Sequence, residues 1–228
     1  MEWVGKVRVT GIGRSYPFVS TRLLSDERYS ARIGDLIKAV DLGIDRVFVE
    51  KEPLPVSEED LSDPPVRSRL LSTRSVVRTA HVVYDEEGKA VGEELFDLNR
   101  AESAGTVKVF ELLGPMLQTL SDGGVLLVDE LDSRLHPLLT RYLIRLFHGE
   151  DNRCAQLVFS THSPEVLDEP EIRRDEIWLV EKDRFGASSL FSVAEFKTRK
   201  GASLRKDYLL GRFGAVPVFT PLEDGWDK

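Results

Sequence analysis

Gly124 to Pro137, GVLLVDELDSRLHP, limits what this chain can fold into more than any other stretch. Four apolar residues, Val125 to Val128, run directly into Asp129 and Glu130; Asp132 and a His136-Pro137 step follow. A short apolar run bounded by turn residues reads as a strand buried on both faces, the habit of parallel sheets. Carboxylates at the C-terminal end of such a strand stand where open α/β sheets place their chemistry. Inside a core they would be costly unless they held a metal or a partner. Asp129 is therefore a candidate ligand for Mg²⁺, and Glu130 a candidate for polarising an attacking water. The plainer alternative has both acids capping the next turn.

The chain has 228 residues, enough for one large domain or two small ones. Its 41% hydrophobic and 31% charged residues suit a soluble globular protein. No apolar run approaches the roughly 20 residues a membrane helix needs, and no signal peptide is expected. A single cysteine, Cys154, excludes an internal disulfide, fits a cytoplasmic location and reads as a small core residue. The formal charge of −8 argues against a generally basic nucleic-acid binder. A local patch remains at Arg67, Arg69, Arg74 and Arg78, which also reads as a solvated face with acidic neighbours.

Taken in order, Lys6 to Thr10 alternates like a short strand, and periodicity predicts a helix over Ser30 to Leu42 and a strand over Asp45 to Lys51. Residues 52–75, with four prolines, read as a loop or insertion. Strands are expected at Arg78 to Tyr84 and Ala90 to Leu98 around the turn Asp85 to Gly88, with His81 structural. Glu102 to Thr106 (ESAGT) precedes an amphipathic helix beginning near Val107. Such a helix start can receive an anion, with Ser103 and Gly105 near it, or Ser103 can simply cap the helix. Gly114-Pro115 predicts a kink or break.

Pro137 to His148 reads as a helix, and Ala155 to Ser160 as a second buried strand ending in Thr161-His162-Ser163-Pro164. A strand–helix–strand unit with polar residues at both strand ends predicts a parallel sheet with one active edge. His162 at the second tip is a candidate for contacting a phosphate or orienting water. Asp175 to Lys182 and Ser188 to Val193 read as a hairpin joined at Asp183 to Ala187, and Asp207 to Phe213 as a short helix. No further acidic pair follows LVEKD, which disfavours a metal-dependent nuclease.

ESAGT, VLLVDELDSRLHP and FSTHSP, in that order, resemble the C-terminal half of ABC-type ATPases of the SMC and OLD kind. The nearer likeness is to AAA-type ATPases of bacterial phage defence, over roughly Ser30 to Val218. The resemblance implies an α/β fold: the C-terminal lobe of a P-loop NTPase, a mostly parallel sheet flanked by helices, with an added β-hairpin. It implies ATP and Mg²⁺ as cofactors. Asp129 is like the Walker B aspartate, Glu130 like the catalytic glutamate, and Asp132 matches the D-loop. Glu102 to Thr106 is like the signature motif, with Ser103, Gly105 and Thr106 near the γ-phosphate of ATP held by a partner subunit. His162 resembles the switch histidine. Two such heads close head-to-head on two ATP molecules and open on hydrolysis, acting on DNA or an effector such as a nuclease, in phage defence or DNA repair.

One departure matters. No Gly-x-x-x-x-Gly-Lys-Ser/Thr occurs in the 228 residues, so the phosphates lack their usual loop and lysine. A fragment, a split subunit or a degenerate homologue is the expectation, with a Walker A half or subunit as partner. The expected organisation is an N-terminal segment over 1–98, the ATPase lobe over 99–218 and a tail over 219–228. A non-hydrolytic interaction module is the runner-up. A metal-dependent hydrolase using Asp129, Glu130, Asp132 and His136 or His162 is the third reading.

Overall fold

The structure is a computed structural model that describes residues 7–10, 17–40, 43–53, 73–150, 152–198 and 201–217. The chain divides into two compact units, residues 1–161 and 162–228. In chain order the first contains β1 (Val7–Thr10), α1 (Pro17–Leu24), α2 (Glu27–Val40), β2 (Ile44–Pro53), β3 (Thr73–Tyr84) and β4 (Ala90–Asp97). It continues with α3 (Leu98–Ala101), α4 (Ala104–Asp122), β5 (Val125–Val128), α5 (Pro137–Leu146) and β6 (Gln156–Phe159).

The expected α/β fold, with a parallel sheet flanked by helices, is present. β1, β5 and β6 form that sheet in the order β1-β5-β6, with Leu126 opposite Arg8 on one side and Leu157 on the other. Val125, Leu126 and Val128 are buried, as an apolar run in a central parallel strand requires. A separate antiparallel sheet has the order β2-β3-β4. Its β3–β4 hairpin turns where Asp85 Oδ1 accepts the Glu87 and Lys89 N–H groups and Gly88 takes φ 78°.

Helices α1, α2 and α4 pack on one another, with α2 also against β2 and α4 against β5. The sequence carries little signal for α1; it forms because it packs on α4, where Ser20 is buried and bonded to Phe110 and Gly114. α2 begins at Glu27, three residues before the predicted Ser30, because Glu27 suits the positive end of the helix.

The predicted break at Gly114-Pro115 does not occur: α4 runs unbroken from Ala104 to Asp122. Ser20 is the reason. Its hydroxyl donates to the Phe110 carbonyl at 2.6 Å and accepts the Gly114 N–H at 3.0 Å, entering the helical ladder just where proline disturbs it. Cys154 is exposed rather than in the core. Its sulfur lies over Gly123, which closes α4 in the left-handed conformation at φ 65° and has no Cβ to obstruct it.

Of the four arginines read as a basic patch, Arg67 and Arg69 lie outside the described residues. Arg74 donates to Glu52, and Arg78 to Glu50 and Glu52. The hydrogen bond from Arg74 holds the Glu52 carboxyl below the usual carboxylate range, so this is a neutralised face.

The second unit holds β7 (Trp178–Lys182), β8 (Ser188–Ser192) and α6 (Leu204–Leu209). β7 and β8 are the expected hairpin, closed by Asp183 Oδ1 accepting the Phe185 and Ala187 N–H groups. Ile177, Leu179, Val193 and Phe213 form its core. α6 starts before the predicted Asp207 because Ser203 caps it, its Oγ accepting the Lys206 N–H. Among the described residues, no helix is long and apolar enough to cross a membrane.

Candidate functional site

The chain leaving β5 is held from both sides. The Asp129 N–H donates to the Thr10 carbonyl of β1 at 2.9 Å, and the Leu131 N–H to the Ser160 carbonyl beyond β6 at 3.0 Å. Between them Glu130 adopts φ 48°, a left-handed conformation that costs a residue with a Cβ about 1–2 kcal/mol. Ser160 sustains it. Its Oγ accepts the Glu130 N–H at 2.8 Å and donates to Asp129 Oδ1 at 2.5 Å. One hydroxyl thus orients the first carboxylate and stabilises the strained backbone of the second. Sequence reasoning passed over Ser160, although a small hydroxyl residue at the tip of the adjacent parallel strand was the available signal.

Asp129 is exposed and Glu130 half-buried, so the acids stand at the sheet's rim rather than in its core. Beyond them Leu131 is fully buried and anchors a turn in which the Ser133 N–H donates to the Glu130 carbonyl and the Leu135 N–H to the Asp132 carbonyl. Arg134 in this turn is also left-handed, at φ 65°. His136 caps α5, its Nδ1 accepting the Leu138 N–H at 3.2 Å. That cap engages His136 and weakens the hydrolase reading. No group of three His, Cys, Asp or Glu side chains among the described residues could hold a metal. A Mg²⁺ ion still fits the donor chemistry, because it is commonly held by one carboxylate together with phosphate oxygens and water.

The start of α4 is built as a cap. Ser103 Oγ accepts the Thr106 N–H at 3.1 Å and lies 2.8 Å from Thr106 Oγ1, and Thr106 is buried. Gly105 sits at a close approach: a Cβ there would stand 3.1 Å from the Arg134 carbonyl oxygen, which would have to give by a few tenths of an ångström. The signature-like turn and the D-loop-like turn are therefore in contact. Glu102 does not point to a ligand. Its Oε1 accepts from the Thr79 hydroxyl and lies 2.7 Å from His81 Nε2, tying the turn to β3. His81 also stands edge-on to Phe96. His162 is exposed and opens the second unit.

Behind this turn, burial pushes the Glu111 carboxyl above its ordinary 4.5, against the opposing pull of Lys108 and Arg134. A raised carboxyl favours the fold while protonated. Its contribution is complete below the unfolded value and is lost as pH rises through the folded one. Glu111→Gln is therefore expected to unfold at a higher temperature than the parent at pH 7 and at the same temperature at pH 4, checked by thermal melts.

Residues 18–168 match the family described as "AAA domain, putative AbiEii toxin, Type IV TA system". The chain belongs to this AAA-domain family. The AAA domain is a P-loop ATPase by class, and its matched region contains the Asp129–Glu130 turn, Ser160 and the start of α4. No curated protein matches the chain. One similar solved structure is described as "Structural biochemistry of ATP-driven dimerization and DNA stimulated activation of SMC ATPases". It shares 13% identity over 86% of this chain and 96% of that one, with a TM-score of 0.47.

Proposed function

We propose that this AAA domain is the Walker B and signature half of an ATPase, completed by a Walker A half that its sequence does not contain. The observation that carries the reading is the Asp129–Glu130 turn, held open at the sheet rim by Ser160. ATP with Mg²⁺ supplies the phosphoryl group to be transferred. With Oδ1 engaged by Ser160, Asp129 offers Oδ2 to the cation. Glu130 takes a proton from water, its backbone conformation turning the side chain out of the strand direction. Ser103, Gly105 and Thr106 form the surface that meets the γ-phosphate of ATP on a second head. Asp132 lies in the turn that passes Gly105, so a change at one dimer face reaches the catalytic acids. Two heads closing on ATP and acting on DNA or an effector nuclease fit a role in phage defence or DNA repair, inside the cytoplasm.

Without a phosphate loop the chain alone binds ATP poorly. Isothermal titration with Mg-ATP is expected to show no binding tighter than the millimolar range. A micromolar dissociation constant would sink the reading.

A further inference from the structure

Within the first unit, α2, α4 and the end of α5 line a cavity of about 300 Å³. Its floor is apolar, made by Leu117 and Leu120 of α4 and by Leu146, the last residue of α5. Leu117 is buried, whereas Leu120 and Leu146 are only half-buried. Its rim is cationic: Arg28 and Arg32 of α2 are exposed there beside Tyr29 and Ser121. The two arginines are four residues apart, so they share one face of α2, where like charges weaken a helix slightly. Asp26 receives Nε and Nη2 of Arg28 at 3.1 and 2.8 Å, which fixes that guanidinium 5.7 Å from the centre of the Tyr29 ring. Asp122, which follows Ser121, is paired with Arg8 at 2.5 Å and so opposes an anion less than a lone acid would.

We propose that this cavity binds an amphipathic carboxylate, a medium-length hydrocarbon chain whose head group meets Arg28 and Arg32. Arginine pairs with carboxylates through parallel charge-assisted hydrogen bonds, which suits the rim. At about 30 Å³ for each water-sized group, the cavity holds roughly ten such groups, the bulk of a ten-carbon chain. A nucleotide matches the volume but not the floor, because three leucines offer the edge of a base no hydrogen-bond partner. A bare anion such as phosphate would leave the same leucines in water. The site is remote from the acids after β5. It lies against the last turns of α4, whose first turn carries Thr106 and whose 19 residues span roughly 28 Å. Binding here does not depend on the ATPase reading.

The probe is decanoate, titrated into the full chain while the leucine and valine methyl signals are followed by NMR. Leu117, Leu120 and Leu146 are expected to shift together, with a dissociation constant at or below about 1 mM. Val158 and Val180, 53% and 64% exposed elsewhere in the chain, are expected to stay unchanged. Each methylene added between hexanoate and decanoate is expected to tighten binding by up to about fourfold. Decyltrimethylammonium, the same chain with the opposite charge, is expected to bind at least about tenfold more weakly than decanoate. The double variant Arg28→Gln/Arg32→Gln is expected to lose at least about tenfold in decanoate affinity and to keep the parent's urea midpoint, since both side chains are exposed.

Equal binding of decanoate and decyltrimethylammonium would overturn the proposal, as would a folded double variant that binds decanoate like the parent. Shifts at Val158 and Val180 with the same constant as at Leu120 would mean that decanoate merely coats apolar surface, and would overturn it too. So would AMP or inorganic phosphate displacing the three leucine signals more tightly than decanoate does, or no shift at millimolar decanoate. The comparison of the two oppositely charged chains uses the parent protein, so it decides the question even where the double variant fails to fold.

Discussion

Glu130→Gln is expected to reduce ATP turnover about 10²- to 10⁴-fold in a complex reconstituted with a Walker A half, the range for loss of a positioned general base. The carboxamide keeps the size and the backbone. The bonds that hold Glu130 at φ 48° come through its N–H group and the Ser160 hydroxyl, neither of which the substitution touches. Binding of ATP should survive, because Asp129 and its bond to Ser160 remain. The variant should therefore accumulate a nucleotide-loaded, closed dimer, seen as retained ATP and a shift in size-exclusion elution. If the domain is only an interaction module, parent and variant will behave alike in both measurements.

Gly114→Ala should cost the first unit about 3 kcal/mol, at the upper end of the overpacking range. An added Cβ would meet Ser20 N at 2.6 Å and Ser20 Cα at 2.7 Å. Those are backbone atoms of α1, so no side-chain rotation relieves the contact. The helices must separate, and the Ser20 hydroxyl then loses the Phe110 carbonyl and the Gly114 N–H together. Urea unfolding should show a lower midpoint. A larger residue at Gly92, where a Cβ meets nothing within 4 Å, is the control and should leave the midpoint unchanged.

Much of this was legible in the sequence for a physical reason. Val125 to Val128 could only be an interior strand, and the acids after it mark its C-terminal end. The 85–88 and 183–187 turns carry their own Asp and Gly chemistry, so both hairpins were foreseeable. α1 was not, because its stability comes from contacts with α4, ninety residues away, rather than from periodicity. The continuity of α4 across Pro115 has the same origin: the group that repairs the ladder belongs to Ser20. Cys154 was misplaced because composition alone favours burying a lone thiol, whereas here a left-handed glycine makes room for it at the surface. In the site, the acids were visible from their position, but the hydroxyl that governs them comes from another strand.

The left-handed backbone at Glu130 sets two demands against each other. A glycine there would adopt φ 48° with less strain than any residue with a Cβ, so Glu130→Gly should have a higher urea midpoint than Glu130→Ala, by up to about 1 kcal/mol. The same change removes the carboxylate that the turn presents. Relief of the backbone strain and retention of the carboxylate are therefore incompatible at this one position. If the proposed ATPase role of Glu130 holds, the glycine variant trades that role for a relaxed turn.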